Sequence, residues 1–114
     1  MSPAPRRASR CWKNTTWNST AEISISVAGT GDWRRQAEKV YGNIGHVLGA
    51  AGATPASVVK ETTWVLSIDS WRQHGAPVRR ALYKGDYPAS TLVEIPGLAR
   101  GEFLVEIEVI AAVA

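Results

Sequence analysis

The last quarter of the chain carries the pattern that constrains the fold most tightly. Positions 90–95 and 103–112 alternate apolar and polar residues, which predicts two strands joined by a short turn over 96–101. In the second strand Glu106 and Glu108 fall on one face, because successive side chains point to opposite faces of a sheet. The other face carries the apolar residues Phe103, Val105, Ile107 and Val109. Carboxylates within such a strand cost free energy unless they are paired, hydrated or at a cleft, so function is expected near this strand.

Glu106 is the strongest candidate for chemistry. A carboxylate beside an interface between sheets can activate water or carry a proton. The alternative is a structural ion pair of Glu106 or Glu108 with one of the cations Lys60, Arg79 and Arg80. The residues alone leave both interpretations open for Glu106 and favour the structural one for Glu108 and Glu94.

Length and composition favour one domain of ordinary apolar content. The chain has 114 residues, of which 45% are hydrophobic, and no run approaches the length of a membrane helix. Cys11 is the only cysteine, which excludes an internal disulfide and a zinc site built on cysteines. No phosphate loop, nucleophile elbow or zinc spacing is present, so we expect neither a metal nor a cofactor. We expect a cytoplasmic protein.

The positive charge is concentrated near the N-terminus. Residues 1–35 contain six Arg and Lys against two acids, whereas residues 36–114 contain seven against eight. We therefore expect 1–21 to form a basic arm, partly disordered or containing an early strand near 11–17, and 22–114 to form the single domain. Because the basic residues are not spread over one face with aromatic residues, a nucleic-acid partner is not expected.

The middle of the chain predicts one long amphipathic helix. Asp32 is placed to cap its start and Gly52 to end it in a left-handed conformation. Its apolar stripe, at a period of 3.6 residues, consists of Trp33, Ala37, Val40, Tyr41, Ile44, Val47, Leu48 and Ala51. Glycines inside a helix weaken it, so their presence suggests close packing against a neighbouring element. These glycines are Gly42, Gly45 and Gly49.

The remaining segments complete an α+β domain. Residues 22–28 and 58–67 read as strands, the second of them central, and 68–71 begins a second helical region. Pro77 suits the first turn of a helix over 76–83. Such an order predicts a mixed sheet with helices covering one face. Because apolar residues fall on both faces of the strands, we expect self-association to bury the other face.

Several short segments resemble the Rid family, also called YjgF or, by an older name, the L-PSP endoribonuclease family. The resemblance covers about 22–114, and the two closing motifs are its most specific part. The segments that carry it are Gln36-Ala37-Glu38, Asn43-Ile44, Ala50-Ala51-Gly52-Ala53-Thr54, Val58-Val59-Lys60, Ile68-Asp69, Pro88-Ala89, Leu92-Val93-Glu94 and Leu104-Val105-Glu106-Ile107-Glu108. It implies a chorismate-mutase-like fold, packed as a homotrimer with small-molecule clefts between subunits. Members of the RidA type hydrolyse imines and enamines to keto acids and ammonia.

The resemblance also implies site residues. Glu106 matches the acid that activates water, and Leu92 matches the residue whose backbone carbonyl helps to hold that water. Ser90 stands where the family's Pro-Ala-Arg motif has an arginine that clamps the substrate carboxylate. The family's Ser-Gly pair matches Ala28-Gly29, and an aromatic residue that packs on substrate falls near Trp17.

Two departures from the family pattern bear on function. A serine cannot replace a guanidinium fork, so the usual carboxylate contact is lost at Ser90. The loop between Gly29 and Gln36 is shorter than is usual in the family. Two hypotheses therefore stand: a deaminase-like hydrolase of altered specificity that uses Glu106, and a non-catalytic binding or interaction trimer that keeps only the fold.

Overall fold

The structure of the protein, a computed structural model, describes residues 19–26 and 32–113, with side chains from Asp32 to Ala112. Some sequence predictions lie outside these residues. They are the strand near 11–17 and the site residues Trp17, Ala28 and Gly29.

The described chain is an α+β domain with one mixed sheet. The elements in chain order are β1 (Ser19–Ser26), α1 (Trp33–Ala50), a 3-10 turn (Pro55–Ser57), β2 (Val58–Val65), α2 (Ile68–Ser70), a π-helical turn (Trp71–Gly75), α3 (Ala76–Tyr83), β3 (Ala89–Glu94) and β4 (Val105–Val113). The strand order is β1-β4-β2-β3, with β4 antiparallel to both neighbours and β2 parallel to β3. The predicted fold class is thus confirmed. Among the described residues, no helix is long and apolar enough to span a membrane.

The last two strands are present as predicted, but they are not neighbours in the sheet. Val65 of β2 pairs with Glu94 on one side and with Val105 on the other, so β2 lies between β3 and β4. The helical segment after β2 returns the chain to the end of the sheet where β2 began, which makes β3 parallel to β2. The segment over 96–101 therefore passes across the end of β2 and does not form a hairpin.

Helix α1 begins and ends where its caps predict. Asp32 accepts hydrogen bonds from the backbone N–H groups of Arg34 and Arg35, at 3.0 and 3.3 Å. Gly52 has a φ of +76°, the left-handed conformation that ends a helix. The stripe is buried at Ala37, Val40, Tyr41, Ile44 and Leu48.

The stripe is narrower than the sequence suggests. Val47 is 39% exposed and Ala51 is also exposed, whereas Gln36, a polar residue, is buried at 1% exposure. The buried face of α1 is therefore centred nearer to Gln36 than apolarity alone predicts. The reason is a specific pair of hydrogen bonds from Gln36, described below.

The glycines of α1 do not mark close packing, and that prediction is wrong. A Cβ added at Gly42, Gly45 or Gly49 would have no described atom within 4 Å. Gly42 and Gly49 are exposed on the side of α1 away from the sheet. These positions therefore weaken the helix without a packing requirement in the described chain.

Gly75 shows the opposite environment. It closes the π-helical turn, and a Cβ there would collide with the indole ring of Trp71, whose Cδ2 would be 2.9 Å away. Trp71 is 3% exposed and belongs to the core. The turn therefore needs a glycine so that the indole can pack beneath it.

The two faces of the sheet differ in burial. On β4 the residues that face the helices are fully buried, namely Val105, Ile107, Val109 and Ala111. Of the alternate residues, Glu106, Glu108 and Ile110 are half-buried, and Ala112 at the far end is buried. The alternation read from the sequence is thus confirmed, and we call the half-buried side the outer face.

Candidate functional site

Glu106 lies on the outer face in the middle of the sheet. Its register partners are Ser26 on β1 and Trp64 on β2. Trp64 is half-buried, as is Glu106 itself, and both alternate with fully buried residues. The carboxylate is thus carried on a rigid strand of the sheet and remains accessible on the side that the helices do not cover.

Ser90 lies on the other face, at the edge strand of the described sheet. Its register partner on β2 is Glu61, which is fully buried and faces the helices. Cross-strand partners point to the same face of a sheet, so Ser90 points to the helix side. Ser90 is nevertheless exposed, because β3 has no further described strand beside it.

Leu92 follows Ser90 on the same face of β3. It pairs with Thr63 of β2, and its side chain is half-buried against the core. The leucine side chain therefore has a packing role, whereas only its backbone was singled out from the sequence.

A single chain does not bring Glu106 and Ser90 together. Their partners on β2 are Trp64 for Glu106 and Glu61 for Ser90, which are three residues apart and so face opposite sides. The two residues are also separated by two strand spacings, roughly 10 Å. A site that uses both residues therefore requires a second copy of the chain.

A buried polar cluster surrounds Glu61, a residue that the sequence pattern did not single out as functional. The Tyr41 hydroxyl donates to Glu61 Oε1 at 2.5 Å, and Arg79 Nε donates to Glu61 Oε2 at 2.9 Å. Glu61 has no exposed surface, so its charge depends on these partners. One sequence signal was available: Glu61 alternates with Thr63 and Val65 and so belongs to the helix-facing side of β2.

Two of the cations considered as partners for Glu106 or Glu108 have contacts on other residues. Arg79 forms an ion pair with Glu61. The Lys60 ammonium donates to Thr91 Oγ1 at 2.6 Å. Arg79 thus has a structural ion pair with Glu61, a fully buried carboxylate that competes for the guanidinium more strongly than a half-buried one.

The cluster changes the protonation equilibria of its members. Burial raises the pKa of Tyr41 well above its usual value, and the negative charge and hydrogen bond of Glu61 raise it further. Burial lowers the pKa of Arg79, but the hydrogen bond and charge of Glu61 more than compensate, so that the net shift is upward. Both effects keep the phenol neutral and the guanidinium charged.

Two tyrosine rings complete the surroundings of Arg79. Its Cζ lies 5.4 Å from the ring centroid of Tyr83 and 4.9 Å from that of Tyr87. The two rings contact each other edge to face, with centroids 6.2 Å apart. Cation–π contacts of this kind fix the plane of a guanidinium. Arg79 nevertheless keeps 20% of its side chain exposed.

Gln36 fixes the start of β4, and hence the position of Glu106. Its Nε2 donates to the carbonyl oxygen of Glu102, and its Oε1 accepts from the N–H of Leu104, both at 2.8 Å. The side-chain amide thus makes the same donor and acceptor pair with the segment leading into β4 that the backbone of a neighbouring strand would make.

The histidines contribute no site. His46 on α1 and His74 in the π-helical turn are both exposed. Within the described part of the chain, no group of three His, Cys, Asp or Glu residues is arranged to hold a metal ion.

Comparison with known proteins places the chain in a family. The sequence profile described as Endoribonuclease L-PSP matches residues 20–113. No curated protein matches the chain in sequence.

Solved structures give the same result. A Rid-family protein of unknown function, YyfB from Yersinia pestis, is 31% identical with a TM-score of 0.72, covering 82% of this chain and 78% of its own. A member of the YjgF family from Mycobacterium tuberculosis is 30% identical with a TM-score of 0.71, covering 81% and 79%. YyfA from Yersinia pestis, also of unknown function, is 36% identical with a TM-score of 0.69, covering 75% and 67%.

The matched profile spans β1 to β4, and these similar structures match the fold with TM-scores of 0.69 to 0.72. The chain therefore belongs to the Rid family, also known as the YjgF or endoribonuclease L-PSP family.

Proposed function

We propose that the protein is a hydrolase of C=N bonds, acting on a small imine or enamine in clefts between the subunits of a homotrimer. The observation that carries the proposal is the position of Glu106. This carboxylate sits half-buried on the outer face of β4, beside Trp64, where water and a small molecule can reach it. Membership of the Rid family supports the same reaction class.

The chemistry needs one general base and one water molecule. Glu106 takes a proton from water as the oxygen adds to the imine carbon, which gives a carbinolamine. The carboxylic acid then returns the proton to nitrogen. As the C–N bond breaks, Glu106 takes the proton of the carbinolamine hydroxyl and passes it to the leaving nitrogen, which releases ammonia and a carbonyl compound. Glu106 ends in its starting state, so no cofactor enters the balance.

The cleft is proposed to form between chains because one chain cannot form it alone. Ser90 and Glu106 face opposite sides of the sheet, whereas a neighbouring copy can lay its β3 edge against this outer face. A closed trimer repeats that contact three times and covers the half-buried residues of each outer face. The proposal also includes a cytoplasmic location for this trimer.

A second function is favoured by Ser90. Because Ser90 replaces the arginine, the second function is that of a small-molecule binder that keeps the family's fold and does not turn over a substrate. Such a protein would show ligand-dependent thermal shifts without the release of ammonia.

The deciding experiment measures ammonia release from a panel of imines generated in solution. Wild type is compared with Glu106→Gln and with the matched control Glu108→Gln, which changes the next carboxylate on the same face. We expect Glu106→Gln to lower the rate by about 10²–10⁴-fold and Glu108→Gln to keep it. Wild type no faster than Glu106→Gln on every imine would overturn the hydrolase proposal. Cleavage of RNA that depends on Glu106 would replace it with the activity in the family's older name.

A further inference from the structure

The two carboxylates in the middle of β4 have different neighbours on the outer face. Glu106 pairs with Trp64 of β2, whereas Glu108 pairs with Thr62. On β3 the partner of Trp64 is Val93, a second apolar residue. The carboxylate with the proposed catalytic role therefore has an apolar surface beside it in the direction of β3, whereas Glu108 has a hydroxyl-bearing residue there.

The indole of Trp64 faces the same side of the sheet as the Glu106 carboxylate. Trp64 is half-buried, while Thr63 and Val65 on either side of it are buried on the helix side. Direct partners on antiparallel strands have Cβ atoms about 4.5–5.5 Å apart, a distance that an indole ring spans. The ring and the carboxylate therefore border the same patch of the outer face.

The cation in this area of the sheet has its contact in the polar row. Lys60 lies on the outer face, and its ammonium donates to Thr91 Oγ1 at 2.6 Å. Thr91 is the strand partner of Thr62 and so belongs to the row of Glu108. The group that Glu106 has next to it on β2 is thus an aromatic ring and not a charge.

The residue at Ser90 increases the importance of this ring for binding. A serine in place of an arginine offers no charge to a substrate, and within one chain Ser90 lies on the opposite face from Glu106. The binding free energy must then come from other contacts, and an aromatic side chain supplies a large apolar area and a directional π system. Small-molecule sites combine such apolar walls with a few polar groups. Trp64 and Glu106 provide one of each.

We propose that Trp64 determines the specificity of the site: an aromatic ring on the imine carbon of the substrate stacks on its indole, while Glu106 activates water at the C=N bond. The inference rests on the proposed function, which it deepens by naming the substrate class as aryl imines that need no carboxylate. The competing role for Trp64 is packing against a second copy of the chain, which another large apolar side chain would serve nearly as well.

Kinetics with two neutral imines test the substrate class. A flavin amine oxidase with oxygen converts benzylamine to benzaldimine and cyclohexylmethylamine to cyclohexanecarbaldimine, which differ only in whether their six-carbon ring is aromatic. Each rate is divided by the rate without the protein. We expect kcat/KM of wild type to favour the aryl imine about fivefold, the gain typical of an aromatic pair beyond its buried area. Hydrolysis of the two imines with equal kcat/KM would overturn the inference.

Variants locate the preference. Trp64→Leu keeps an apolar side chain, and we expect it to raise KM for the aryl imine about fivefold at unchanged kcat, since stacking stabilises the ground and transition states equally. Trp64→Phe should keep part of the preference. Trp33→Leu is the matched control, because Trp33 is also half-buried but packs on the core from the start of α1. A wild-type preference in Trp64→Leu would contradict the assignment.

A spectroscopic measurement on the full-length protein keeps the test decisive if Trp64→Leu does not assemble. The chain has five tryptophans, so labelling with 5-fluorotryptophan gives five fluorine signals, and the signal absent from Trp64→Phe belongs to Trp64. Acetophenone, a stable aryl ketone, should shift that signal and leave the signal of Trp33 in place. Cyclohexyl methyl ketone should bind about fivefold more weakly in calorimetry. A Trp64 signal that acetophenone does not move, or equal binding of the two ketones, would overturn the inference.

The two proposals fail separately. Stacking of acetophenone on Trp64 without any ammonia release that depends on Glu106 would exclude the hydrolase proposal alone. Hydrolysis that depends on Glu106 but is equally fast for the aryl and the cyclohexyl imine would exclude this inference alone.

Discussion

Tyr41 of α1 donates a 2.5 Å hydrogen bond to Glu61 of β2, which lies with no exposed surface between helix and sheet. The contact ties the longest helix to a central strand through a charged group rather than through apolar packing alone. The same carboxylate orients Arg79 through its second oxygen. The attachment of α1 to the sheet and the orientation of Arg79 therefore both depend on Glu61.

Replacing Tyr41 with phenylalanine should destabilise the protein by about 1–3 kcal/mol, because it leaves one oxygen of a buried carboxylate without its donor. Urea unfolding followed by circular dichroism measures the change. Tyr87→Phe is the matched control, since Tyr87 is largely exposed, and should change stability by less than about 0.5 kcal/mol. Equal effects of the two variants would show that the hydroxyl of Tyr41 contributes nothing.

The stability of the protein should fall above pH 10 because of Tyr41. Its pKa is raised in the folded state, first by burial and then by Glu61, above the ordinary tyrosine value of 10.0. A raised pKa means that the folded state holds the proton more tightly than the unfolded state. This contribution is complete below pH 10.0 and is lost as the pH rises through the folded value. Between neutral and strongly alkaline pH, the free energy of unfolding should fall less steeply with pH for Tyr41→Phe than for wild type. Parallel curves of unfolding free energy against pH for the two proteins would contradict the raised pKa of Tyr41.

Replacing Arg79 with methionine should cost about 3 kcal/mol, because it leaves the charge of Glu61 buried without its ion-pair partner. Arg80→Met changes the adjacent exposed arginine and should have little effect. The double variant Glu61→Gln, Arg79→Met should recover part of the loss. Chemical unfolding of wild type, Glu61→Gln, Arg79→Met and the double variant gives the coupling free energy directly, and additive losses would show that the pair is not coupled.

Replacing glycine with alanine should raise the stability of the protein at two positions of α1 and lower it in the π-helical turn. Gly42→Ala and Gly49→Ala should each stabilise the protein by up to about 1 kcal/mol, since alanine favours the helix and open space surrounds both positions. Gly75→Ala should destabilise it, because the new methyl group meets the ring of Trp71. Thermal unfolding of the three variants measures the signs, and a loss of stability at Gly42 or Gly49 would reveal a contact with another chain.

Much of the fold follows from local patterns. The alternation in β4 gave the correct face for Glu106, and Asp32 and Gly52 gave the ends of α1, because these features depend on neighbouring residues only. The pairing of β2 between β3 and β4 could not be read in the same way, since it depends on the path of the chain through the helices.

The buried cluster was missed for a related reason. A glutamate within a strand looks solvated until its partners are known, and Tyr41 and Arg79 lie 20 and 18 residues away along the chain. Gln36 is likewise not part of the apolar stripe, and the hydrogen bonds that bury it reach residues 66 and 68 positions away. Long-range polar contacts therefore decided what the apolar pattern alone could not.

The central claim is that the site combines Glu106 of one chain with the Ser90 edge of another. Co-refolding Glu106→Gln with Ser90→Glu, each inactive in imine hydrolysis alone, tests it most directly. Random mixing places an intact Glu106 against an intact Ser90 at about one quarter of the interfaces, so about a quarter of the wild-type rate should return. Mixed assemblies that remain as inactive as their parents would contradict a site shared between chains.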